Sequence, residues 1–394
     1  MAVNSSDNVK PFTITVPQEA LDDLRLRLSL TRWTDEVPGA GWDYGANLAY
    51  MKELVDYWQD SFDWRQRERE LNALPHFRAT VDGINIHFIH QRGNGPQPFP
   101  LILTHGWPSS FFEMLKVLPM LTDPARYGGD PADAFDVVIP SLPGYGFSER
   151  PLVPEQSGRP FMAERWLHLM RDVLGYSRFG AHGGDIGGGV TCQLGRLYPQ
   201  QVAGIHLNGI SISPYLGPDA PALSEKERAY YAEVARWDAE EGAYSAIQET
   251  KPQTLSYGLN DSPVGLAAWI VEKFRAWSDC DGDVERHFSK DDLLTNISLY
   301  WFTQSINSSF GPYYVYSNKF DESIHGPLRK GERVETPCAV SVFPKNIDRP
   351  PRELGERVYN LQRWTEMPRG GHFPAHEEPE LLVADIRTFF RSLH

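Results

Sequence analysis

"SRFGAHGGDIGGGV", residues Ser177–Val190, decides how the rest of the chain is read. An apolar stretch ending near Ala181 reads as a short strand. Glycines 183, 184 and 187–189 then crowd both sides of Asp185, and "GGGVTCQLGRLYPQ" continues as a helix candidate. A strand that turns sharply into a helix strains the residue at the apex and leaves no room for bulky neighbours, so glycines flank it. Such a turn exposes the apex side chain and aims backbone N–H groups at it. The bland alternative is a glycine-rich turn whose Asp only caps the helix, and short glycine motifs are weak alone.

Outward from the turn, the same rhythm repeats. "PLILTHG", "FDVVIPSLPG" and "VAGIHLNGI" are apolar runs of strand length, and "SSFFEMLKVLPMLTD" and "FMAERWLHLMRDVLG" between them are helix-length. Strands alternating with helices predict a parallel sheet covered on both faces. Upstream, "FRATVDGINIHFIHQR" alternates around Asp82-Gly83, a hairpin signature. Further upstream, "VPQEALDDLRLRLSLTRW" spaces Leu21, Leu24, Leu28 and Leu30 helically, and "ANLAYMKELVDYWQDSFDW" is a second amphipathic helix. The alternation stops after Ile210, and helical patterns dominate until "PCAVSVFP" and "VYNLQRWTEMP" restore strands; "PELLVADIRTFFRSL" is the final helix. The expected organisation is an N-terminal helical extension packing on the core (1–77), the first part of an α/β core (78–212), a helical cap inserted after the sixth strand (213–321) and the second part of the core (322–394). Ligands in such sheets bind beyond the carboxyl ends of the strands.

Composition narrows the partners. The 394 residues are 41% hydrophobic, enough for a sizeable core, and 38 Lys and Arg against 52 Asp and Glu leave a formal charge of −14. No basic block with interleaved aromatics points to nucleic acid, and the acidic surface argues against anionic membranes. Cys192, Cys280 and Cys338 are odd in number and far apart, forming neither a disulfide framework nor a CxxC site. The N-terminal residues show no apolar run of leader or anchor length. A soluble cytoplasmic protein is the expectation. The oligomeric state is open, a homodimer among the alternatives. No HExxH, Cys/His cluster, P-loop or dinucleotide fingerprint calls for a metal or a cofactor.

Two further motifs bear on Asp185. "LTHGWPSS" (Leu103–Ser110) ends a strand where α/β-hydrolases place an oxyanion donor, so the N–H groups of Trp107 and Ile186 are expected to converge on one oxygen. The alternative is a plain turn with a buried tryptophan. Aiming that N–H requires an abrupt reversal, and Trp107–Pro108 is a candidate for a cis bond. "PRGGHFPAHEEPELL" puts His372 in a loop before the last helix, where this fold keeps its base; the chain order nucleophile, acid, histidine is the fold's own. A lone histidine is more often structural, so it is the combination that argues.

With these pieces in place the chain resembles the epoxide hydrolases of the microsomal type, within the α/β-hydrolase superfamily. The resemblance rests on "HGWPSSFFEM", "GGDIG", "HLN", "QETKPQTLSYGLNDSPVGLAAWIVEKF", "LYWFTQSINSS", "RGGHF" and the N-terminal "VPQEALDDLRLRLSLTRW". It covers nearly the whole chain. Mammalian members carry a membrane-anchor helix, which this sequence lacks.

The resemblance implies an epoxide substrate, with Asp185 as nucleophile forming an ester, His372 as general base, and two cap tyrosines protonating the ring oxygen. By motif position these fall on Tyr244 and Tyr313, with adjacent Tyr314 an alternative for the second. Many other cap aromatics (Tyr230, Tyr231, Tyr257, Tyr300, Tyr316) could equally be packing, and the residues alone do not choose. Trp107, Pro108, Ile186 and Phe373 are expected to line the substrate site. The pattern breaks at "SVFPKNIDRPP": Asn346 stands where relatives have Asp or Glu. That acid holds the histidine tautomer and offsets its charge, and in a serine triad the change to Asn costs about four orders of magnitude. Asn346 orients His372 well enough for slow hydrolysis, or Asp348 swings in as the acid, or hydrolysis is deliberately weak. Pro374, where the family usually has Ala, should stiffen the histidine loop. The alternatives are a haloalkane dehalogenase, disfavoured because Ile186 replaces the usual halide-binding Trp, an epoxide-opening cyclase, or a non-catalytic ligand-binding relative.

Overall fold

A computed structural model describes residues 8–318 and 327–393. The strands are β1 (Lys10–Pro11), β2 (His76–Val81), β3 (Ile84–Gln91), β4 (Phe99–Thr104), β5 (Phe135–Pro140), β6 (Phe179–Gly183), β7 (Val202–Leu207), β8 (Val334–Val342) and β9 (Tyr359–Glu366). They form one sheet in the order β1-β2-β3-β5-β4-β6-β7-β8-β9. β1, β2, β3 and β5 pair antiparallel, and every pairing from β5 across to β9 is parallel. The predicted hairpin is β2–β3, with Val81 opposite Ile84 and both Asp82 and Gly83 at positive φ. Those are the signs a two-residue turn needs to match the strand twist. β5, β6 and β7 are buried at every position, as expected of a parallel sheet sandwiched between helices.

The helical insertion follows β7, the sixth strand counted from β2. Its principal helices are Glu225–Glu241, Ala243–Thr250, Pro252–Asp261, Pro263–Trp277, Lys290–Thr303 and Gly311–Asn318. Sequence punctuates them. Pro252 and Pro263 open helices at the first position, where a missing N–H costs nothing, and Ser224 with Glu227 and Ser289 with Asp292 form capping boxes.

Three sequence expectations need correcting. The N-terminal segment is not helical throughout, since Lys10–Pro11 adds an edge strand to β2. Its first helix, Gln18–Ser29, buries Leu21, Leu24 and Leu28 but ends before Leu30, which is 68% exposed. "SSFFEMLKVLPMLTD" is not one helix. It divides into a 3₁₀ turn, Phe111–Leu115, and a short helix, Leu118–Thr122. Pro119 would clash with the preceding turn inside a longer helix and is tolerated only in a first turn.

Candidate active site

The carboxyl ends of β4, β6 and β8 bring the reactive side chains together. β6 runs through Gly184 into the helix Asp185–Leu197, and Asp185 sits at φ +51°. A non-glycine residue in the left-handed region stores roughly 1–3 kcal/mol, which the surrounding packing has to hold. That packing leaves no space for side chains. A Cβ on Gly187 would stand 2.0 Å from the Thr104 carbonyl oxygen, and one on Gly106 would stand 2.4 Å from Asp185 Oδ1. The glycines therefore let the β4 and β6 turns touch.

That contact is functional in shape. The Trp107 N–H donates to Asp185 Oδ1 at 2.9 Å, and the Trp107–Pro108 peptide is cis, as the reversal predicts. Ile186 occupies the first turn of the elbow helix, where N–H groups have no partner within the helix. The other carboxylate oxygen, Oδ2, lies 3.7 Å from His372 Nε2. That is beyond a hydrogen bond, so the imidazole lone pair is not spent on the carboxylate. Burial lowers the His372 pKa, partly opposed by the Asp185 charge.

The partner of His372 is Asn346. Its Oδ1 lies 2.8 Å from His372 Nδ1, while its Nδ2 donates to the Asn208 carbonyl at 3.4 Å. The second bond fixes the amide with its oxygen toward the ring. Nδ1 then carries the proton and Nε2 is the free base, the tautomer that proton abstraction requires. Asn346 thus supplies orientation without charge. Asp348 has other partners. Its partly buried carboxyl accepts the Tyr230 hydroxyl on Oδ1 and the Ile210 N–H at 3.2 Å on Oδ2. Burial pushes its pKa up, so leaving those donors for the histidine would be unfavourable.

The insertion packs two tyrosines around the Trp107 ring. Tyr244, buried in the helix Ala243–Thr250, stacks on the Trp107 indole at 5.3 Å and 9°. Tyr313, in the helix Gly311–Asn318, meets Trp107 edge-on at 5.9 Å and Tyr244 at 6.1 Å. Burial first, then neighbouring charge including Asp185, raises both phenol pKa values, so both are protonated donors. Phe373 is buried against Trp277 and Phe274. Among the described residues no group of three or more His, Cys, Asp or Glu could hold a metal ion.

Two acids escaped the sequence reading, the buried Glu377 and the partly buried Glu113. Glu377 accepts the N–H groups of Gly371 (3.0 Å), Phe373 (2.8 Å) and Asp279 (2.7 Å), clamping the loop on both sides of His372. Burial lifts its carboxyl to about 7 against the pull of those three donors. Glu113 bonds the Ser109 hydroxyl beside the Trp107 turn, and burial lifts it to about 7 as well. "HEEPE" offered the signal for Glu377: an acid four residues after Phe373 reaches back within one helical turn.

A cavity of about 330 Å³ opens against Asp185 and His372 and continues past Arg159, Asn208, Ser211 and Tyr230. A larger groove of about 830 Å³, between residues 30–51 and the helix Pro263–Trp277, contains none of the predicted site residues. Position at the strand ends, and not volume, locates the chemistry.

Sheet order, elbow and inserted helices together define an α/β hydrolase, and a family profile described as "alpha/beta hydrolase fold" matches residues 100–253. A second, "Epoxide hydrolase N terminus", matches residues 9–114. Epoxide hydrolase 1 of Sus scrofa is 35% identical, the alignment covering 98% of this chain and 90% of that one. The solved epoxide hydrolase of Aspergillus niger superposes with a TM-score of 0.84 at 29% identity, covering 100% of this chain and 97% of that one. The juvenile hormone epoxide hydrolase of the silkworm Bombyx mori gives 0.86 at 29% identity, covering 98% and 95%. The chain belongs to the epoxide hydrolase family, in its microsomal-type branch. Among the described residues no helix is long and apolar enough to cross a membrane.

Proposed function

We propose that this enzyme opens an epoxide to a vicinal diol through an ester on Asp185. The observation that carries the reading is the division of labour at the Asp185 carboxylate. Oδ1 is held by the Trp107 N–H, whereas Oδ2 is not hydrogen-bonded to His372. Oδ2 attacks a ring carbon from behind, the carbon–oxygen bond breaks, and the departing oxygen takes a proton from the Tyr244–Tyr313 pair. The ester carbonyl is then Oδ1, already at a donor. Water attacks the ester carbon, His372 Nε2 takes its proton, and the Trp107 and Ile186 N–H groups hold the oxyanion. Collapse releases the diol and restores Asp185, and the histidine's proton returns to the tyrosine pair. No cofactor is required beyond water. The cytoplasm is the compartment we propose, supported by three cysteines that are all free and buried.

The test is mass spectrometry beside product analysis with aryl and alkyl epoxides. Asp185→Ala should form neither adduct nor diol, whereas His372→Gln should accumulate the ester, one substrate mass heavier, with little diol. Diol production persisting in Asp185→Ala would mean direct attack by water and would overturn the mechanism.

A further inference from the structure

The cavity beside the catalytic pair holds an arginine that the mechanism does not use. Arg159 is the first residue of the helix Arg159–His168. A cation there faces the positive end of the helix dipole, a placement that costs free energy unless an anion offsets it. None does. The first turn of that helix contains no acid, and among the described residues no carboxylate pairs with Arg159. It faces a ring instead: the guanidinium carbon lies 5.1 Å from the centre of Tyr316. The side chain is half-buried in the wall that also contains Asp185 and His372.

Its position relative to the nucleophile is fixed by the elbow helix. A Cβ on Gly189 would stand 2.5 Å from Arg159 Cδ and Nε and 2.9 Å from Cζ, so the guanidinium end packs against that glycine. Gly189 is four residues beyond Asp185 and shares its helical face. Four residues rise about 6 Å along a helix axis, so the unpaired cation sits about one turn from the reacting carboxylate, along the same cavity. Polar groups of Asn208, Ser211 and Tyr230 complete this end of the wall.

We infer that Arg159 is a specificity-determining residue, and that the preferred substrates are epoxides carrying a carboxylate about one helical turn from the ring. The inference rests on the epoxide hydrolase reading and adds a substrate class to it. A carboxylate tail fits the planar fork of the guanidinium and places the oxirane over Asp185. It also supplies an anion that no described residue gives the helix terminus.

The experiment compares terminal epoxyalkanoates of graded chain length with their methyl esters, each substrate assayed on the same preparation. Any misfolded fraction then cancels from the ratio of the two kcat/KM values. The expected ratio favours the carboxylate and peaks at one chain length. In Arg159→Gln it should fall about ten- to hundred-fold, the range of one charge-assisted contact, and Arg159→Lys should recover part of it. Gly189→Ala, which keeps the charge but displaces the guanidinium, should lower the ratio by a smaller factor. Equal efficiencies for acid and ester, unchanged in Arg159→Gln, would overturn the inference and leave the hydrolase reading standing. Failure to open any epoxide would sink that reading and this inference with it.

Discussion

At Asn346 one atom separates this site from its relatives' expected acid. The amide orients His372 but, in the proposed mechanism, could not offset the positive charge that would form on the ring when water is deprotonated. Alkylation of Asp185 makes no use of that charge; ester hydrolysis does. Burst kinetics with accumulated ester are therefore expected, with the second half-reaction limiting. Asn346→Asp should raise steady-state turnover by tenfold or more on the order-of-magnitude scale of triad acids, while the pre-steady-state burst rate changes little. A carboxylate against Nδ1 also favours the imidazolium. Because burial now holds His372 below its ordinary 6.5, the variant's acid limb in the pH–rate profile should shift upward. Equal profiles for the two proteins would show that the amide already does all that a carboxylate could. Asp348→Asn, whose carboxyl serves Tyr230 and Ile210, should not enlarge the burst.

At the scale of elements, reactive groups sit on turns that other elements hold from behind. The helix Lys290–Thr303 braces the oxyanion turn: Asn296 Nδ2 donates to the Pro108 carbonyl at 2.9 Å, and the Tyr300 hydroxyl donates to that of Ser109 at 2.7 Å. The one-turn helix Pro374–Glu377 braces the base through the Glu377 clamp. Glu377→Gln presents an amide nitrogen to backbone donors that a carboxylate accepted. It should cost about 2–3 kcal/mol of stability by denaturant titration and lower kcat more than it raises KM, because the histidine loop loosens while the cavity persists. A fall in stability with kcat intact would reduce Glu377 to a structural role. These braces also mark what the sequence could reveal. The parallel sheet, the elbow and the place of His372 were legible because they follow from local periodicity and glycine spacing. Tyr244 and Tyr313 were legible only through family likeness, since the insertion is rich in aromatics with the same local pattern. Asn296 and Arg159 were not legible. Asn296 meets Pro108 across 188 residues of chain, and Arg159 meets Gly189 only once two helices have packed.

Over the whole molecule, the insertion is fastened from two directions. On the core side, Arg357, two residues before β9, pairs with the fully buried Glu227 at 2.8 Å. On the other side the N-terminal segment reaches the inserted helices directly: Arg27 pairs with Asp261 at 2.8 Å, Lys290 with Glu53 at 2.9 Å, and the Tyr57 hydroxyl with Asp291 at 3.1 Å. The pairs are largely exposed, and such contacts are individually worth little. The apolar seam matters more. Trp64 is buried, and its ring lies 4.8 Å from Phe302 at the end of the helix that braces the oxyanion turn. A continuous path of packing thus runs from the N-terminal helices, through Lys290–Thr303, to the Trp107 N–H. Trp64→Ala should cost about 3–5 kcal/mol by leaving a cavity at that seam. If the N-terminal segment serves as a brace, the loss will be local: amides of Lys290–Thr303 should exchange with deuterium faster, while those of β5 and β7 keep their protection relative to the new global stability. Turnover should fall with them, because the oxyanion donor is the far end of the same path. Uniform acceleration across sheet and insertion alike would mean one cooperative unit, in which the N-terminal helices stabilise the fold without any particular hold on the site.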